Sequence, residues 1–111
     1  MLLQASRTEN KIVIMDRIHR IKEMEIRLNR AMFWLTEMEK ALDGYRLIQE
    51  DLHALEEYYG SPIWKEDFAA DEAGLLPDDL KRGVLTEDGI DDVLEQNAEL
   101  KLRIEKTLQE L

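Results

Sequence analysis

The chain has 111 residues, 44% hydrophobic and 36% charged, with a net charge of −10 and no cysteine. That length supports one domain with one modest core, burying roughly two-thirds of the unfolded surface. The missing cysteine excludes disulfides, thiolate nucleophiles and thiolate metal sites, and the acidic balance disfavours direct binding to nucleic acid or to an anionic membrane surface.

The charge is uneven. Residues 1–49 hold nine Lys/Arg against seven Asp/Glu, and residues 50–111 hold six against eighteen. A basic protein partner suits the second half better than a phosphate backbone does. The opening MLLQASRTENKIVIMDR lacks the apolar run of a signal peptide. No segment approaches the roughly 20 apolar residues of a membrane span. A cytoplasmic protein is expected.

Residues 1–13 are set apart as a flexible N-terminal segment, and 14–111 are read as a single helical domain. From Ile14 an apolar stripe recurs at helical spacing: Ile14, Ile18, Ile21, Met24, Leu28, Ala31, Met32, Leu35, Met38, Leu42, Tyr45, Ile48, Leu52, Leu55 and Tyr59. Unbroken, that helix would be about 69 Å long at about 1.5 Å per residue. One short chain cannot cover so long a stripe, so a homodimer or higher oligomer is expected. Asp43-Gly44 is the one turn-forming pair inside the stripe. The apolar phase continues across it, which favours a continuous or kinked helix over a hairpin.

Gly60 is placed at the C-terminal end of this helix. Ser61 is expected to cap a second helix, Ser61–Ala73, with Pro62 in its first turn, and Gly74 to end it. Residues 75–85, LLPDDLKRGVL, read as a connector with one helical turn after Pro77. Thr86 is expected to cap the last helix, which runs from about Glu87 to the C-terminus. Its apolar arc is broad, with Asn97 at the centre, either setting register as a polar residue in an apolar seam does or bonding a connector carbonyl.

Chemistry-bearing groups concentrate between Leu55 and Asp88. Tyr58, Tyr59, Trp64 and Phe68 form either a peptide or apolar-ligand groove or a small aromatic core. Asp67, Asp71 and Glu72 could hold a divalent cation or pair with Lys81 and Arg82. His19 and His53 each have a glutamate four residues on, Glu23 and Glu57. Such a pair is two ligands short of a closed zinc site. No hydrolase elbow, phosphate loop, dinucleotide fingerprint or zinc-protease motif occurs. No catalytic residue, cofactor or metal is therefore assigned.

The central block contains Tyr58-Tyr59-Gly60-Ser61, then Trp64, Asp67, Asp71-Glu72, Gly74, Leu76-Pro77, Leu80-Lys81-Arg82-Gly83-Val84-Leu85 and Thr86-Glu87-Asp88. This pattern resembles the bacterial domain of unknown function 4298 family, over about residues 18–108. The resemblance implies an all-helical, cytoplasmic protein of bacterial or phage origin. It brings no activity, cofactor or catalytic residue. The motif is either a fold signature or a partner-binding surface, carried by Tyr58, Tyr59, Trp64, Asp67, Asp71, Glu72, Lys81 and Arg82.

The expected fold is all-α: a long N-terminal helix, a short bridging helix and a C-terminal helix in a bundle completed by oligomerisation. The expected function is a non-catalytic, acidic helical protein–protein interaction module. An acidic inhibitor mimicking nucleic acid is the alternative. A metal-dependent hydrolase is the third, and requires Asp67, Asp71, Glu57 and His53 to converge.

Overall fold

The computed structural model describes residues 2–111, with side chains from residue 10 onward. Helix α1 spans Leu2–Leu47, α2 Gln49–Tyr59, α3 Pro62–Glu72 and α4 Gly89–Glu110, with a 3₁₀ turn at Gly83–Leu85. No strand occurs among the described residues, so the fold is all-α. The chain divides into two units, residues 1–46 and 47–111. No helix among the described residues is long and apolar enough to cross a membrane.

The first unit is the helix α1. Its sequence is dense in Glu, Arg, Lys, Met, Leu and Ile and contains no proline, the composition that loses least on entering a helix. Residues 2–13, set apart above as flexible, carry helical backbone. The Asp43-Gly44 pair is also helical. The turn potential of that dipeptide is overridden by its neighbours, since one glycine costs a helix only about 1 kcal/mol relative to alanine. The break falls instead at Ile48, a single residue with φ −80° and ψ −1°.

The second unit has a small core of Leu52, Leu85 and Ile90, with Ile90 only 2% exposed. These residues come from α2, the 3₁₀ turn and α4. Helix α2 packs on α3 and α4, and the 3₁₀ turn packs on α3 and α4. The turn therefore joins α3 to α4, and α2 packs directly on both helices.

Three end signals act differently from the sequence expectation. Gly60 ends α2 with φ −82°, an ordinary right-handed conformation, and not as a left-handed residue. Ser61 does sit at the cap position of α3 with extended backbone and Pro62 behind it. Its hydroxyl, however, donates to the Tyr58 carbonyl at 2.7 Å, tying the turn to α2. Thr86 does not cap α4. The helix begins at Gly89 behind Asp88, and the Thr86 hydroxyl closes the 3₁₀ turn by donating to the Gly83 carbonyl at 2.8 Å. The helical turn expected after Pro77 is a simple turn, closed by Leu80 N–H donating to the Pro77 carbonyl at 3.2 Å.

Gly74 ends α3 as foreseen. Its φ is +71°. The Gly74 N–H donates to the Asp71 carbonyl and the Leu75 N–H to the Ala70 carbonyl, both at 3.0 Å. That pair of bonds is the Schellman arrangement, which needs a left-handed residue at this point. A β-carbon there would meet no atom within 4 Å. Gly74→Ala is therefore expected to cost about 1–2 kcal/mol from backbone strain alone, read as a lowered urea midpoint with an unchanged slope.

Candidate functional site

Helix α3 presents Trp64, Asp67, Phe68 and Asp71 at i, i+3, i+4 and i+7, along one face. Trp64 and Phe68 are one turn apart and stack, with ring centroids 5.3 Å apart and planes 23° from parallel. Tyr59, at the end of α2, meets Trp64 edge-on at 4.9 Å. The Trp64 indole Nε1 donates to the Val84 carbonyl at 2.8 Å. The tryptophan thus links α2, α3 and the 3₁₀ turn through one ring system and one polar bond.

The carboxylates of α3 are used in the same way. Tyr58 donates its hydroxyl to Asp67 Oδ2 at 2.6 Å. Arg82 Nη1 donates to Asp71 Oδ1 at 2.6 Å, and Nη2 donates to the Pro77 carbonyl at 2.7 Å. The Arg82–Asp71 pairing matches the sequence expectation. Asp67, expected to pair with the connector, is instead held by Tyr58. Arg82 and Asp71 are both half-buried, and a planar guanidinium bridging a carboxylate and a carbonyl fixes the connector in one path. Glu72 and Lys81 are exposed.

The bond to Asp67 raises the Tyr58 pKa above its ordinary value near 10, with burial and the Asp67 charge adding to it. A raised tyrosine pKa stabilises the fold below the unfolded value. That contribution is lost as pH rises through the folded one. The wild-type melting temperature should fall as the pH is taken above about 10, and Tyr58→Phe should flatten that part of the profile. At neutral pH the same substitution should cost about 1 kcal/mol, the net worth of a hydrogen bond to a partly solvated carboxylate.

The groups required for a metal-dependent hydrolase are not brought together. Among the described residues no three His, Asp or Glu side chains form a group that could hold a metal ion. Asp67 and Asp71 have the partners just given. His53 lies 3.1 Å from Glu57 and His19 lies 3.5 Å from Glu23, all four well exposed. These are the i,i+4 pairs read in the sequence, as surface pairs of little energetic weight. Asn97 is half-buried and engaged in a contact of its own.

Three features were passed over in the sequence. The carbonyls of Val84 and Pro77 anchor Trp64 and Arg82, and backbone acceptors leave no mark in side-chain patterns. Gly89 is a close-approach glycine: a β-carbon there would run into the Gly83 carbonyl oxygen. Its signal was a glycine opening a helix directly after Glu87-Asp88. Phe33 and Trp34 form an exposed edge-on pair on α1 at 5.2 Å. Adjacent bulky aromatics must face different ways on a helix, so one always lies off an apolar stripe.

A shallow apolar groove of about 630 Å³ runs beside the 3₁₀ turn, lined by Leu55, Lys81, Val84, Ile90 and Val93 among others. The larger apolar surface is on α1. Ile14, Ile18, Ile21, Met24, Leu28, Met32, Leu35, Met38 and Leu42 are each 46–64% exposed.

The family model described as a domain of unknown function, DUF4298, matches residues 21–107. The chain belongs to this family. The DUF4298 match takes in the whole clasp made by Tyr58, Trp64, Asp67, Asp71 and Arg82, together with the exposed stripe of α1 from Ile21 onward. No curated protein and no solved structure matches the chain.

Proposed function

We propose that this chain is a non-catalytic helical module of the cytoplasm that docks on protein through helix α1, with the acidic residues of 50–111 favouring a basic partner surface. The observation that carries the reading is the α1 stripe. Nine large apolar side chains at helical spacing each remain about half exposed or more. Contiguous apolar surface of that extent on a soluble domain marks an interaction site. Trp34 beside it is 64% exposed, and tryptophan is the side chain most often found at the energetic centre of an interface.

The central motif fits this reading as the anchor of the second unit. Tyr58, Trp64, Asp67, Asp71 and Arg82 are spent on internal bonds, while Glu72 and Lys81 face outward. The uneven charge favours one further reading. The excess of acids in residues 50–111 would suit a mimic of nucleic acid seated in a Lys/Arg-lined groove. Salt-sensitive binding to a nuclease or transcription factor, competed by DNA, would separate that mode from docking through α1.

The test is affinity capture at low and high salt with wild type and with Leu28→Glu/Leu35→Glu. Capture of a stoichiometric protein by wild type, lost in the double variant, supports the reading. Equal recovery by both proteins overturns it.

A further inference from the structure

Between Ile14 and Leu42 every seventh residue is isoleucine or leucine: Ile14, Ile21, Leu28, Leu35 and Leu42. With these as position a of a heptad, position d reads Arg17, Met24, Ala31, Met38 and Tyr45. A straight helix drifts about 20° per heptad from such a repeat. A strict sevenfold line stays on one side only when helices wrap around each other with a left-handed twist. The a residues are 53–64% exposed, and Met24 and Met38 are 53% and 64% exposed. Apart from Arg17 the seam from Ile14 to Leu42 is apolar, and its large side chains are exposed in the chain.

The flanking charges say what covers it. Over the same stretch position e reads Ile18, Glu25, Met32 and Glu39, and position g reads Arg20, Arg27, Trp34 and Ala41. In a parallel, in-register pair of α1 helices, each g residue faces the e residue five places on in the other copy. Arg20 then meets Glu25 of the second copy, twice by symmetry. Arg27 meets Met32, and Trp34 meets Glu39. No like charges oppose at e and g; at d, Arg17 meets Arg17 of the second copy. In an antiparallel pair g faces g and e faces e. Both charged g residues are arginine and both charged e residues are glutamate, so every charge–charge encounter along the seam would be repulsive. Charges at e and g are what set partner and orientation in coiled coils. Arg17 is the one charged d residue, and its long stem lets the guanidinium reach the rim.

We infer that α1 pairs with α1 of a second copy of this chain, parallel and in register, as a left-handed coiled coil along Ile14–Leu42. This rests on the proposal that the α1 stripe docks on protein, and it names the partner. The chain has no cysteine, so single-cysteine variants report on the seam without background. In full-length Met24→Cys and Met38→Cys, each introduced thiol meets its own counterpart. Both variants should form disulfide-linked dimers under mild oxidation, and a mixture of the two should add no cross-linked product between them. Arg20→Glu should weaken self-association roughly ten-fold by turning two attractive pairs repulsive, and Arg20→Glu/Glu25→Arg should restore it. Circular dichroism of each variant establishes that the helices are intact.

A monomer by light scattering, or linkage of Met24→Cys only to Met38→Cys, overturns the inference. If self-linkage fails while Leu28→Glu/Leu35→Glu still abolishes capture of an unlike protein, self-pairing is wrong and the docking reading stands. If the double variant changes neither self-association nor capture, both fall.

Discussion

Gly89→Ala should remove a large share of the stability of residues 47–111. A β-carbon at this position would run into the Gly83 carbonyl oxygen and lie 2.6 Å from the Thr86 hydroxyl oxygen. Neither atom can yield cheaply. The carbonyl belongs to the backbone of the 3₁₀ turn, and the hydroxyl is bonded to that same carbonyl. Relief requires α4 to move off the turn, which loosens the packing of the elements that carry Leu85 and Ile90, two of the three buried core residues. Overpacking of this kind costs about 3 kcal/mol. A unit of this size holds only about 3–10 kcal/mol in total, and each 1 kcal/mol is worth about 4–8 °C in melting temperature. A fall well beyond 10 °C is expected. Gly83→Ala is the control, because a β-carbon at Gly83 would meet no atom within 4 Å. Its effect should stay below about 1 kcal/mol. Equal melting curves for Gly89→Ala and wild type would disprove the close approach.

Trp64→Ala is the second large effect. The substitution deletes the ring that touches both Tyr59 and Phe68 and removes the donor to the Val84 carbonyl. Truncating a large aromatic costs about 3–5 kcal/mol when fully buried. Trp64 is half-buried, which places the expectation near the lower end. Trp64→Phe separates the two contributions, because it keeps a ring in the cluster and loses only the indole donor. It should cost about 1–2 kcal/mol, from one lost bond and one carbonyl left without its partner. Urea titration followed by circular dichroism reads both. A Trp64→Phe cost equal to that of Trp64→Ala would mean that the ring contacts contribute nothing.

Much of the fold was legible because its determinants are local. The 3.6-residue periodicity and the absence of proline before Pro62 mark residues 14–59 as helical, and Pro62 and Gly74 bound α3, without reference to any neighbour. The Arg82–Asp71 pair was legible as charge complementarity within one short segment. What escaped detection depends on three-dimensional proximity. Asp67 looked like a partner for the connector, yet the end of α2 brings Tyr58 to it. Thr86 carried the signature of a cap and serves the preceding turn instead, because the approach of Gly89 to Gly83 leaves α4 starting later. Ile48, where the helix assignment breaks, has no turn residue beside it, whereas Asp43-Gly44 has turn chemistry and stays helical.

The three-residue core of the second unit has a thermodynamic consequence. Burying little apolar surface means exposing little on unfolding, and both the denaturant slope and the heat-capacity change scale with that exposed area. The stability curve of residues 47–111 is therefore shallow in temperature, and its transitions are broad in heat and in urea. A gradual loss of ellipticity is the expected behaviour of the correctly folded unit. The same shallowness moves its cold limit far below freezing, so what this unit lacks in maximum stability it recovers in the range of temperatures over which its shape persists.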